Sequence, residues 1–166
     1  MKPPNILVAL DGTMKITDFG LARSFGTPEK ALTGNVITRW YRPPEVIFGS
    51  TFYATGVDMW SMGCILAELF MREPLFPGKT DIDQLSKIFG IRGTPNDDIW
   101  PGATDLPYFF TFEDRKPIIL KKIISNCSNE ALDLIEQMLQ LNPNFRITMD
   151  KALDHAFFKD MPDLST

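Results

Sequence analysis

The sequence predicts a mainly α domain that opens with a short β-hairpin. Two observations carry this. The stretch from Met59 to Met71 is apolar almost all round, broken mainly by Ser61 and Glu68, and a helix apolar on every side is a buried one. Near the start, Asp11-Gly12 stands between two β-prone runs, Ile6 to Leu10 and Met14 to Thr17, a strong local signal for a hairpin turn.

The other elements follow in order. Residues 21 to 42 are rich in Gly, Thr and charge and show no sustained period, so they read as a long loop of the kind that is usually functional or disordered. Thr55-Gly56-Val57-Asp58 has the spacing of a capping box, with Asp in place of the usual Glu, and would start the central helix. Pro74 and Pro77-Gly78 would stop it. Asp81 to Phe89 reads as a shorter amphipathic helix with Ile82, Leu85, Ile88 and Phe89 on one face. Residues 90 to 117 read as irregular. Ser128 can cap a helix carrying Leu132, Ile135, Met138 and Leu139, which Pro143 would end. Thr148 can cap a last short helix through Leu153. His155, the sole histidine, has no partner pattern and reads as structural.

Bulk properties narrow the function classes. A chain of 166 residues, 44% hydrophobic, is enough for one globular core. A net charge of −4 argues against a nucleic-acid partner, which would ask for a basic face. No apolar run approaches a membrane span, so no membrane partner is expected. Cys64 and Cys127 lie far apart without metal-type spacing and read as buried, reduced thiols of an intracellular protein.

Three motifs stand in a fixed order: Lys2-Pro3-Pro4-Asn5, Asp18-Phe19-Gly20, and Thr38-Arg39-Trp40-Tyr41-Arg42-Pro43-Pro44-Glu45. Asp-x-Gly alone marks many ordinary turns. Here it follows Asn5 across a hairpin, and the whole series resembles the back half of a protein-kinase active site. Asn5 fits the last residue of the catalytic loop H-R-D-L-x-x-x-N, and Met1 falls on its Leu position. The third motif resembles the T-x-W-Y-R-A-P-E of the cyclin-dependent and MAP-kinase branch. The resemblance runs down to Asn142-Pro143-Asn144-Phe145-Arg146-Ile147, similar to the branch's D-P-x-x-R-I. Stretches such as Ala22-Arg23-Ser24-Phe25-Gly26-Thr27-Pro28, Gly56-Val57-Asp58-Met59-Trp60 and Asp81-Ile82-Asp83-Gln84-Leu85 resemble the cyclin-dependent-kinase-activating kinases. Those kinases pair with cyclin H and also phosphorylate the C-terminal repeats of RNA polymerase II.

The resemblance implies roles. ATP and Mg2+ would be the cofactors, with Asn5 and Asp18 reaching the metal from opposite ends of one hairpin; Mg2+ is hard and takes oxygen ligands. Lys2 would contact the γ-phosphate during transfer. Thr38 would hydrogen-bond toward the catalytic base. Ile37 and Arg42 would form the pocket for the residue after the target Ser or Thr, which in this branch favours proline, a residue with no N–H to satisfy. Glu45 would pair with Arg146 and anchor the activation loop to the helical lobe. Asp58, capping the central helix, would also bind the backbone of the catalytic loop. Thr33 aligns with an activating phosphothreonine and Thr27-Pro28 with a second, proline-directed site, with Arg23 as one arginine to receive the phosphate. A nuclear location is implied on the same ground. Pro43 stands where the branch has Ala, and tolerance is expected because Pro44 already restricts its neighbour.

The implied fold is the C-terminal lobe of a protein kinase: catalytic-loop remnant, hairpin and Asp-Phe-Gly over 1–20, activation loop over 21–45, and helical lobe over 46–166. The Gly-rich loop, the small N-terminal lobe with its cyclin-binding helix and the catalytic Asp are expected to be absent from the chain, which alone would then have no useful kinase activity. Two other readings stay open: a short kinase-like module that binds without transferring phosphate, and a MAP-kinase relative. Against the last, Thr33-Gly34-Asn35 lacks a T-x-Y.

Overall fold

The computed structural model describes residues 1–20, 39–50 and 55–159. In it the Asp11-Gly12 signal makes an antiparallel hairpin of β1 (Ile6–Val8) and β2 (Met14–Ile16), with Ile6 opposite Ile16 and Val8 opposite Met14. Gly12 sits at φ +86°, a left-handed geometry that glycine adopts without steric cost. Its N–H donates to the Ala9 carbonyl at 3.0 Å, and the Ala9 N–H donates to the Thr13 carbonyl at 2.9 Å. Met1 and Ile6 pack against the main core, whereas Leu7, Val8, Leu10, Met14 and Ile16 are exposed.

The helical part is built around α2 (Gly56–Met71), after the short α1 (Pro44–Ile47). Pro43, in extended geometry, precedes α1, and its carbonyl accepts from the N–H groups of Val46 and Ile47 at 3.2 and 3.3 Å. Pro44 occupies the first helical position, where the missing N–H would find no intrahelical partner anyway. Helix α3 spans Asp81–Arg92, α4 Asn129–Met138 and α5 Met149–Leu153. Each has the cap its sequence offers. The side chains of Thr80, Ser128 and Thr148 accept from the N–H groups of Asp83, Ala131 and Lys151.

Trp60, Cys64 and Ala67 of α2 are buried at the centre. Trp60 stacks on Phe76 with ring centroids 5.8 Å apart, and Phe48 meets Phe89 and Phe109 at 6.0 and 5.1 Å. Helix α4 lies close against α2 because Gly63 has no side chain there. A Cβ at that position would come within 2.8 Å of the Met138 Cβ and 3.0 Å of a Leu139 methyl carbon. The mainly α architecture with an opening two-stranded hairpin is the one the sequence predicts. Among the described residues no helix is long and apolar enough to cross a membrane.

Four local expectations are corrected. Thr55 makes no side-chain cap, because its own backbone is already helical (φ −52°, ψ −20°) and its hydroxyl does not receive an N–H of the first turn. Helix α2 ends at Met71, the expected bound, but Arg72 makes the stop before Pro74 is reached. Arg72 turns left-handed at φ +60° and its N–H returns to the Glu68 carbonyl at 2.7 Å. Helix α3 runs on to Arg92 and ends at Gly93, φ +81°. Its buried arc is Gln84, Leu85, Ile88 and Phe89. Ile82 lies at the edge of that arc in the first turn and is exposed.

Candidate active site

The hairpin brings the first two motifs together at its open end. Lys2, in extended geometry and half-buried, leads into a single tight turn, Pro3–Asn5, whose Asn5 N–H donates to the Lys2 carbonyl at 2.9 Å. Two prolines suit the start of such a turn, where their fixed φ is already right. Past Ile6 the ladder gains one more rung, from the Thr17 N–H to the Asn5 carbonyl at 2.9 Å. Asn5 and the Thr17-Asp18 pair therefore meet across the hairpin base. Asp18 is exposed and takes a left-handed backbone, φ +61°. That geometry costs a non-glycine residue on the order of 1–3 kcal/mol and concentrates at functional sites. A Cβ on Gly20 would stand 3.3 Å from the Asp18 Oδ1, so glycine there leaves room beside the carboxylate. An amide oxygen and an exposed carboxylate held at one hairpin end fit Mg2+, which takes oxygen ligands and keeps several from water or phosphate.

The third motif is tied to the lobe from below. Arg146 and Glu45 meet in the interior, with side-chain exposures of 0% and 3%. The pair is bidentate: Nη1 to Oε1 at 2.6 Å and Nη2 to Oε2 at 2.7 Å. The remaining guanidinium N–H groups reach the carbonyls of Gln140 (2.8 Å), Gly56 (3.0 Å) and Leu141 (3.2 Å). The cation also lies 5.0 Å above the Trp60 ring. One arginine thus joins α1, the start of α2 and the chain after α4. Asp58, in the first turn of α2, has its Oδ1 3.5 Å from the amino group of Met1, so its carboxylate faces the segment that leads to Lys2 and Asn5.

Above that anchor, the segment Arg39–Arg42 is held against the start of α3. Arg39 Nε donates to the Asp81 Oδ1 at 2.8 Å, and Arg42 Nη1 lies 3.6 Å from the same oxygen. The Trp40 indole N–H donates to the Gly78 carbonyl at 3.0 Å. Gln84, fully buried, accepts from the Gly78 N–H at 2.9 Å and donates to the Trp40 carbonyl at 3.4 Å. Ser61 Oγ donates to the Tyr41 carbonyl at 2.9 Å, and the Tyr41 hydroxyl donates to Glu68 at 2.6 Å. Burial and the Glu68 carboxylate push the Tyr41 phenol well above its ordinary value. Burial pulls the Arg42 guanidinium below its own; Asp81 opposes that and Arg39 adds to it.

Asn5 and Asp18 come together at the hairpin base, Lys2 precedes them, Asp58 reaches Met1, and Glu45 with Arg146 anchors the segment that carries Arg42. Arg23, Thr27, Thr33, Ile37 and Thr38 lie outside the described residues. Sequence reasoning missed Arg39, Trp40, Asp81 and Gln84 as a set, since 42 positions separate Arg39 from its acceptor and no local spacing marks the pair. It also missed the partner of His155. The Nδ1 accepts from the Phe157 N–H at 3.1 Å, so Nε2 carries the proton and donates to Asp133 at 2.9 Å. Cys64 is buried, and burial pushes its thiol well up; Cys127 is only half-buried, with Sγ 3.4 Å from the Ile124 carbonyl. A cavity of about 310 Å3 lined by Thr94, Asn96, Phe109 and Phe112 shares no residue with this site.

A family model described as the protein kinase domain matches residues 1–158.

Proposed function

Because the chain belongs to the protein kinase domain family, we propose that it serves a serine/threonine kinase of the cyclin-dependent type, one that acts on Ser-Pro and Thr-Pro sites. The observation that carries this reading is the meeting of Asn5 and Asp18 at one hairpin end, with Lys2 just before them. ATP with Mg2+ supplies the phosphoryl group and neutralises its charge. Asn5 and Asp18 orient the metal. The Lys2 ammonium offsets negative charge that grows on the transferring oxygens, and loss of such a group costs roughly 10²–10³-fold in kcat. Arg42, with Ile37, shapes the pocket for the residue after the target hydroxyl. Glu45 and Arg146 keep that pocket in register with the lobe.

The subfamily reading, that of the cyclin-dependent-kinase-activating kinases, rests on the sequence stretches around Ala22, Gly56 and Asp81. It brings a cyclin of the H type as partner, RNA polymerase II repeats or other cyclin-dependent kinases as substrates, and a nuclear location. Thr33 and Thr27 are its regulatory phosphorylation sites, and Arg23 one of the arginines that receive the phosphate.

Phosphate transfer from γ-labelled ATP to matched Ser-Pro and Ser-Ala peptides tests the proposal, using the protein as cells make it. Transfer that strongly prefers the Ser-Pro peptide is the expected result. Equal use of both peptides would overturn the proline-directed part of the reading.

A further inference from the structure

We infer that Asp81 is a positioning residue for the proline-recognition segment, acting through Arg39 and Arg42. The inference rests on the kinase reading above and goes beyond it, because Asp81 belongs to none of the three motifs. A single carboxylate oxygen, Oδ1, takes Arg39 Nε at 2.8 Å and stands 3.6 Å from Arg42 Nη1. The two arginines are three residues apart and flank Trp40 and Tyr41. Both of those side chains are themselves hydrogen-bonded, Trp40 to the Gly78 carbonyl and Tyr41 to Glu68.

The two guanidinium groups converge on one oxygen, and like charges that close repel each other. An anion between them removes that repulsion and fixes their separation. Asp81 is itself placed with care. It is the first residue of α3, directly after the Thr80 cap, and Gln84 one turn on locks α3 to Gly78 and to the Trp40 carbonyl. Gly78 cannot carry a side chain, because a Cβ would lie 2.4 Å from the Gln84 Oε1. The start of α3 therefore sets where Arg42 stands, and Arg42 is a wall of the pocket that reads the residue after the phosphorylated hydroxyl.

Arg39 and Asp81 are half-exposed, with side-chain exposures of 38% and 51%, whereas Arg42 retains 12%. Loss of the carboxylate therefore leaves the fold intact and loosens the segment. The measurements are made on the protein as cells make it, as wild type, Asp81→Asn and Asp81→Glu. For Asp81→Asn the expected result is a fall of about fivefold in the Ser-Pro over Ser-Ala preference, the size of one such ion pair. The fall is carried by peptide KM, with the KM for ATP unchanged, and Asp81→Glu restores most of it. Amide hydrogen exchange of residues 39–42 rises about fivefold in Asp81→Asn, while that of α4 stays fixed. Unchanged preference together with unchanged exchange in residues 39–42 overturns the inference. So does exchange that rises equally in α4, which marks a general loss of stability. A wild type that transfers no phosphate refutes the kinase reading instead, and the exchange data then decide alone whether Asp81 positions the segment.

Discussion

Asp11 shows how one side chain decides a local structure. Its Oδ1 accepts from the Thr13 N–H at 2.9 Å and so closes the hairpin turn. That hydrogen bond lowers the Asp11 carboxyl below its ordinary value. The sign follows from linkage. A carboxyl depressed in the folded state stabilises the turn above its unfolded-state value, and the effect is lost as pH falls through the depressed value. Amide exchange at Thr13 is therefore expected to quicken as pH falls through the acid range, after correction for the intrinsic rate, and to lose this pH dependence in Asp11→Asn. An exchange rate that follows the intrinsic rate throughout would show that the carboxylate does not hold the turn. At the same scale, Asp18 bears a left-handed backbone that glycine would take without strain. A carboxylate retained at such a position argues for a use of the side chain rather than for turn formation alone.

At the scale of elements, most of the architecture was legible. The all-round apolar run gave the central helix α2, the Ser128 and Thr148 caps gave the starts of α4 and α5, and Asp-Gly gave the hairpin. These are local signals, read by rules of period and capping. What escaped depends on tertiary contact. Thr55 has a capping residue's identity without its conformation, and Arg72 ends α2 in a geometry that sequence assigns to glycine. Gln84 is polar and yet fully buried, because Gly78 and Trp40 satisfy its amide. The Asn5–Asp18 convergence was legible because the hairpin that makes it is itself local. The Arg39–Asp81 pair was not, because nothing local records it. The close approach of α2 and α4 at Gly63 was equally hidden, and it makes a clear test. Gly63→Ala places a Cβ within 2.8 Å of the Met138 Cβ. The added bulk should cost roughly 1–3 kcal/mol, as overpacking does, read as a lowered urea midpoint with an unchanged slope. A Gly63→Ala chain as stable as wild type would mean that the two helices can separate freely.

Across the whole molecule, a buried ion pair ties α1, and with it the site segment, to the helical lobe. Glu45 and Arg146 are 101 positions apart, both buried, with every guanidinium N–H accounted for by Glu45, Gln140, Gly56 and Leu141. Removing one partner strands a buried charge and costs about 3–5 kcal/mol. Arg146→Met is therefore expected to lower stability by that order. In Glu45→Gln/Arg146→Met a second buried charge is gone, so the double variant should recover part of the loss, as equilibrium unfolding would reveal. A strictly additive double variant would show that the two side chains do not act as a unit. The same pair makes the site depend on the lobe. The segment that carries Arg42 rests on α1, α1 rests on Arg146, and Arg146 rests on the loop after α4. The hairpin with Asn5 and Asp18 reaches the same core through Met1 and Ile6. On the kinase reading, these converging parts hold Mg2+ for phosphoryl transfer. Transfer of γ-labelled phosphate to a Ser-Pro peptide as Mg2+ is raised, by the protein as cells make it, tests this when wild type is compared with Asp18→Asn. Mg2+-dependent transfer by wild type and none by Asp18→Asn is the expected outcome; transfer by Asp18→Asn at the wild-type rate and with the same Mg2+ dependence would overturn that role of Asp18.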